Sequence, residues 1–480
     1  MSVRKIALGT AAISFARITR LLAQFVAIPI LARLLSPADY GVVAIAMPFA
    51  LFAMMLADAG IGMSLVRTPA SERRAWSTSF WLSVALGVVF AALMAAAAPI
   101  ATAAFSEPAL TPLIAALSFV VIAQAVHLIP IAALQQQGRF GAIAVTELAA
   151  TTAGLATAVC SALSGAGAWA LILQQVAFFA VRVVAVCALS PFRPLWVFDW
   201  PAVRSHVLFG RNVLGVSLVT YFARSADNWV VARALGASAV GVYSMAFQFA
   251  RLPVQLVTGP FQYVVYAELT RMKDDPAAVA RVFMAATRVL ALVVFPFMGL
   301  VALGGTHVFS ALLSAKWSDA GLLFALVAPA CAVQTVAAIG DTVVYALGRT
   351  DLQLRTAIEY AVVWLLALAV AVGWGLAAAA VCYTVCTLLY QLRYFSLVLP
   401  VLGLDKRSYV AAYAVPCAAT IVGMAAYAML ARTQAMADWV HVAVVLVIAA
   451  LAVVAGGLAQ KKRLLAELRQ LRPPRGAADA

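Results

Sequence analysis

Apolar residues run through this chain in blocks of about twenty, broken by short stretches of Gly, Pro, Ser or charge. A helix of that length spans the roughly 30 Å hydrocarbon core of a bilayer. The blocks predict spans near residues 10–34, 41–65, 77–104, 113–134, 141–163, 168–189, 212–235, 239–265, 280–303, 321–347, 355–373, 376–399, 409–431 and 438–459. The predicted fold class is therefore all-α integral membrane, with about 14 transmembrane helices.

Two of the breaks are copies of each other. LARLLSPADYGVVAIAMPFA (31–50) and VARALGASAVGVYSMAFQFA (231–250) share Ala, Arg, Leu, Gly, Val, Phe and Ala without a gap at an offset of 200 residues. Further on, Gly138, Arg139 and Thr146 match Gly348, Arg349 and Thr356 at an offset of 210. An even number of spans separates the copies, so they keep one orientation, which is the parallel type of transporter repeat. The expected domains are an N-terminal lobe (1–200, spans 1–6), a C-terminal lobe (201–400, spans 7–12), and two extra spans with a basic tail (401–480).

Composition agrees: 65% of the 480 residues are hydrophobic and only 11% are charged, against about 25% charged in soluble domains. The net charge of +15 would suggest nucleic acid in a soluble protein, but its placement excludes that reading. Arg and Lys gather in alternate loops, at Arg4 and Lys5, Arg73 and Arg74, Arg139, Arg193 and Arg204, Arg271, Arg349, Lys406 and the Lys461–Arg475 tail, whereas the opposite loops hold Arg33, Lys316 and Arg432. This asymmetry places both termini in the cytoplasm. The early Arg4, Lys5 and apolar run imitate a signal peptide, but Arg17 and Arg20 interrupt it, so it reads as an uncleaved first span. The connection from Ser190 to Arg211, with three prolines and an amphipathic pattern, is expected to lie on the inner surface.

Ionised side chains cost about 2.5–3.5 kcal/mol at mid-bilayer even on a lenient scale, so several together imply a wet cavity. Arg17 and Arg20 lie ~12–16 Å into the first span and share a face with Gln24. Arg224 and Asp227 in the seventh span and Arg251 in the eighth lie at comparable depth. Asp58, Glu147, Asp341 and Glu359 fall in the inner third of their spans. The cations suit an anionic cargo, because guanidinium groups present forked donors to phosphate. Each charge also has a structural reading: Arg224 and Asp227 could satisfy each other, and the acids could be interhelical pairs rather than coupling sites for H+ or Na+. The six cysteines lie inside apolar runs without metal or disulfide spacing, and no phosphate loop, HExxH or nucleophile elbow is present. No catalytic residue, resident cofactor or metal is expected.

On the residues LARLLSPADYGVVA, Asp58-Ala59-Gly60-Ile61-Gly62, LGASAVGVYSMAFQFARLP, the Pro260 segment before Glu268, FPFMGL, Lys316-Trp317 and Gly348-Arg349, the chain resembles the polysaccharide transport family. These are the Wzx-type flippases of the multidrug/oligosaccharidyl-lipid/polysaccharide (MOP) superfamily. The resemblance spans about residues 10–360. It departs at Ser314, where relatives tend to carry glycine before the Lys-Trp pair. It implies two six-helix lobes in a V around a central cavity, alternating access, and a bacterial inner-membrane location. The implied cargo is a short sugar chain on undecaprenyl pyrophosphate, destined for lipopolysaccharide or exopolysaccharide, with Arg17, Arg20, Arg224 and Arg251 as the positions suited to the pyrophosphate. Expected partners are this lipid-linked oligosaccharide, the bilayer and other polysaccharide assembly proteins, and not nucleic acid. Two other readings are a multidrug exporter of the same superfamily, which should carry acids at mid-depth, and a membrane polymerase or ligase, which would need acid or base groups on an outer loop.

Overall fold

The computed structural model describes residues 19–20, 22–58, 65, 72–272, 275–433 and 437–470. With no water in the hydrocarbon core, every backbone N–H and C=O must bond within its own segment, and the regular structure among the described residues is helical throughout. The chain divides into two units, Met1–Gly241 and Val242–Ala480.

The first unit holds α1 (Leu22–Leu34), α2 (Pro37–Asp58), α3 (Arg73–Phe105), α4 (Leu110–Gln136), α5 (Phe140–Leu163), α6 (Trp169–Leu189) and most of α7 (Trp200–Ala250). Within it α5 packs along α6, α3 along α4, and α4 contacts both α2 and α6. In the second unit, the π-helical Val254–Thr258 leads into α8 (Gly259–Arg271). There follow α9 (Pro276–Leu303), α10 (Gly305–Leu313), α11 (Ser318–Ala346), α12 (Thr350–Ala371), α13 (Leu376–Val401), α14 (Lys406–Ala411), α15 (Ala414–Thr433) and α16 (Asp438–Gln470). Here α11 packs on α9 and α13, and the two extra spans α15 and α16 both pack on α9. Their outer faces keep large apolar side chains exposed, such as Val422 and Leu458, as lipid-facing helices should.

Among the described residues, twelve helices are long and apolar enough to cross a membrane. The expected first span lies partly on residues 1–18 and 21, outside the described residues, leaving the shorter apolar helix α1. The expected seventh and eighth spans run together in α7, which bends at Gly236 (φ 82°, ψ 177°).

One of the two copied turns read from sequence recurs bond for bond. Gly138 (φ 66°) and Gly348 (φ 71°) each end a helix in the left-handed conformation that glycine adopts without steric cost. Around the first, Arg139 N donates to Leu134 O at 2.9 Å and Gly138 N to Gln135 O at 3.0 Å. Around the second, Arg349 N donates to Val344 O at 2.9 Å and Gly348 N to Tyr345 O at 3.1 Å. Both are Schellman caps. Eight residues on, the buried Thr146 and Thr356 hydroxyls each bond the carbonyl four residues back, at 3.0 and 2.9 Å. The other copied turn has diverged. Ser36 caps α2, its Oγ accepting from Asp39 N (3.2 Å) while Asp39 Oδ2 accepts from Ser36 N (2.8 Å), a reciprocal cap. The bend glycine, Gly236, stands at the equivalent place in α7.

Two local features bear on function. The connection after α6 lies along the start of α3. Leu195 N donates to Ser77 Oγ (3.0 Å), Trp81 Nε1 to Leu195 O (2.8 Å) and Asp199 N to Thr78 Oγ1 (2.9 Å), and Trp196 stacks on Trp81. In the second unit, the helix is broken at Arg251, between Ala250 and Pro253. Proline removes a backbone donor and favours such distortions. Thr258 Oγ1 bonds Thr335 O (3.3 Å) and Gln262 Nε2 bonds Ala338 O (2.6 Å), pinning the distorted stretch to α11.

Candidate functional site

The first unit gathers charge on α5 and α6. Glu147 points from α5 between two arginines: its Oε1 lies 2.5 Å from Arg182 Nη2 and its Oε2 3.3 Å from Arg20 Nη1. The Phe178 ring lies near the same two guanidiniums, 5.1 Å from Arg20 Cζ and 5.6 Å from Arg182 Cζ, close enough for cation–π attraction to both. Arg182 also reaches the Phe179 ring at 5.9 Å. The α5–α6 seam is tight enough to bring the pair together, with Gly154 lying against the Gln174 carbonyl and Phe178.

Polar atoms with unused capacity lie in and beside this cluster. His127 on α4 is buried, within reach of the Arg182 charge, and neither ring nitrogen has a hydrogen-bond partner. Among the described residues the Arg182 Nε likewise lacks one. Among the described residues the cluster contains two guanidiniums and one carboxylate, which leaves one positive charge over. A half-shared carboxylate beside unused donors is chemically fit to hold an anion, since guanidinium–oxyanion bonds are the strong, forked kind.

The second unit carries a counterpart. Glu359 on α12 accepts from Arg355 Nε at 2.9 Å and lies 3.8 Å from Arg393 Nε on α13. Glu147 to Glu359 is an offset of 212 residues and Arg182 to Arg393 one of 211, close to the sequence repeat. The copies differ in exposure. The Glu147 and Arg182 side chains are 17% and 19% exposed, against 40% and 48% for Glu359 and Arg393, so only the first pair is well shielded from its surroundings.

Of the residues expected from sequence, Arg20 and Glu147 are brought together. Arg17 lies outside the described residues, and so does the side chain of Arg224. Gln24 is exposed on α1. Arg251 is exposed at the helix break, with its Cζ 5.6 Å from the Phe247 ring. It lies within electrostatic reach of Cys331 and Tyr383, and the Tyr383 hydroxyl donates to Gln334 Oε1 at 3.2 Å. Asp227 is buried in α7 and accepts from Asn228 N at 2.9 Å. Asp58 is the last residue of α2, and Asp341 on α11 lies beside Tyr394. Among the described residues no group of three or more His, Cys, Asp or Glu is placed to hold a metal. Sequence reasoning omits Arg182, although its signal is plain: it is the one charge in the apolar run of α6.

Comparison with known proteins adds the family. Succinoglycan biosynthesis transport protein ExoT of Rhizobium meliloti (strain 1021) is 29% identical over 307 residues, 64% of this chain and 62% of that protein; the match thus covers less than two thirds of ExoT. Lipopolysaccharide biosynthesis protein WzxC of Escherichia coli (strain K12) is 25% identical over 394 residues, 79% of this chain and 78% of that one. Among solved structures, the lipid II flippase MurJ in its inward closed conformation matches with a TM-score of 0.73 over 95% of this chain and 100% of that chain, at 11% identity, a likeness of fold. Residues 30–321 match the family described as polysaccharide biosynthesis protein, and with well over half the sequence aligned, the chain belongs to that family.

Proposed function

We propose that this protein is a flippase that turns undecaprenyl-pyrophosphate-linked oligosaccharide units across the bacterial inner membrane for polysaccharide export. The observation that carries the reading is the Arg20–Glu147–Arg182 cluster, which holds surplus positive charge on apolar helices. Such a charge is costly unless it serves a cargo or a partner, and a pyrophosphate is the group its donors fit. The family and the names of its relatives, which assemble or transport polysaccharides, support a sugar-bearing cargo. Transport would proceed by alternating access of two repeat-related lobes, the lipid tail staying in the bilayer. Arg224 and Arg251 would supply further cations. Asp58, Asp227, Asp341 and Glu359 are candidates for coupling to H+ or Na+, with both termini on the cytoplasmic side.

Charge reversal tests this. Arg20→Glu and Arg182→Glu, each checked for presence in the membrane, should abolish surface polysaccharide and leave the lipid-linked intermediate inside the cell. Export at the parental level with both substitutions present would sink the reading. The organic-cation exporter is disfavoured by the same arginines, which would repel its cargo. Drug resistance on overexpression, with no polysaccharide defect on deletion, would restore it.

A further inference from the structure

The connection after α6, the start of α3 and the α4–α5 turn line a cavity. It measures ≈ 180 Å³ and is lined by Arg73, Trp76, Ser77, Gln136, Gln137 and Arg193, among others, with no carboxylate in the lining among the described residues. That is smaller than the roughly 300–1,000 Å³ of pockets that enclose drug-sized ligands, so it admits a headgroup and not a sugar chain. Its floor is preorganised. Arg193 Nη1 donates to the carbonyls of Cys187 (3.2 Å), Ser190 (2.7 Å) and Phe192 (2.8 Å), which fixes the guanidinium at the cavity edge. Phe192 is wedged against Trp76 and Phe80. Arg73, the first residue of α3, also lines the cavity, while its neighbour Glu72, the exposed N-cap of the helix, is not part of the lining. Just beyond the cavity the same connection leaves Trp196, Phe198 and Trp200 exposed, Trp196 at 86%. A cationic cleft bordered by exposed aromatics is the composition of a headgroup-level surface.

We infer that this cavity binds the phosphate headgroup of an anionic phospholipid of the inner leaflet, with the acyl chains lying against Trp196 and Phe198. The inference rests on the inward placement of these loops by the charge rule and is independent of the cargo proposed above. The lipid source follows from the aromatics: a free phosphate would gain nothing from them.

Native mass spectrometry of the purified full-length chain tests it with phosphatidylglycerol, phosphatidylcholine and inorganic phosphate as probes. Arg73→Gln is the first variant, because Arg73 is exposed and does not clamp the connection. Wild type should retain phosphatidylglycerol over phosphatidylcholine. Arg73→Gln should lower phosphatidylglycerol retention about tenfold, the factor expected for losing one charge-assisted hydrogen bond to the phosphate within the cavity, and Arg73→Lys should restore it. Arg74→Gln, one residue outside the lining, should leave it unchanged and serves as the folding control. Equal retention of the two lipids overturns the inference, as does an Arg74→Gln loss matching that of Arg73→Gln. Displacement of phosphatidylglycerol by inorganic phosphate alone overturns the choice of a lipid.

Discussion

Gly41 and Gly241, equivalent residues of the two sequence copies, lie where α2 and α7 approach backbone to backbone. A methyl group on Gly41 would fall 1.7 Å from the Ala237 carbonyl oxygen, and one on Gly241 would fall 1.8 Å from that of Pro37. Pro37 and Ala237 are themselves 200 residues apart. Each copy therefore presents its glycine to the residue that stands four places before glycine in the other copy.

Backbone cannot yield as a side chain does, so Gly41→Ala and Gly241→Ala should each destabilise by about 1–3 kcal/mol or more, the usual cost of overpacking. Lower melting temperatures in detergent would register it. Gly141→Ala, in a helix with nothing within 4 Å of the added carbon, should be neutral or slightly stabilising. A Gly41→Ala protein that melts with the Gly141→Ala control would refute the contact.

Removing Glu147 should harm the protein more than removing the pair it forms. Glu147→Ala leaves two neighbouring guanidiniums without their shared carboxylate, at a cost of about 2 kcal/mol, below the roughly 3–5 of a fully buried pair because Arg20 is partly exposed. The double variant Glu147→Ala/Arg182→Leu should recover most of that loss. Melting curves of the two single variants and the double variant give the coupling directly.

Ser314 has φ 121° and ψ 166°, a region occupied essentially by glycine and costing other residues of order 1–3 kcal/mol. Its hydroxyl is buried without a hydrogen-bond partner. Ser314→Gly should raise stability by about 1 kcal/mol net of the added chain entropy, read as slower thermal inactivation. Faster inactivation would contradict the strained backbone.

The connection after α6 hangs on few bonds. Trp81→Phe deletes the donation to Leu195 O and should weaken docking by about 1 kcal/mol. Chymotrypsin should then cut at the exposed Trp196 several times faster, while the helices stay intact. Unchanged cleavage would mean that the hydrogen bond contributes little to docking.

What the sequence disclosed depended on range. Helices and their breaks are local, and Gly138 and Gly348 announced two caps that the structure forms alike. The departure at Ser314 was visible too, although only its φ explains why glycine would suit the place. The partner of Arg20 was hidden, because Glu147 lies 127 residues away and nothing local says which face of α5 meets α6. Arg182 was hidden differently: a single charge in an apolar run shows that something must compensate it, without showing what.

The hold on Glu147 is unequal, 2.5 Å from Arg182 and 3.3 Å from Arg20. An oxyanion of the proposed cargo would therefore meet one guanidinium already committed and another loosely tethered. Taking the loose one leaves the carboxylate still neutralised, so Arg20 is free to change hands without stranding a bare negative charge among the helices.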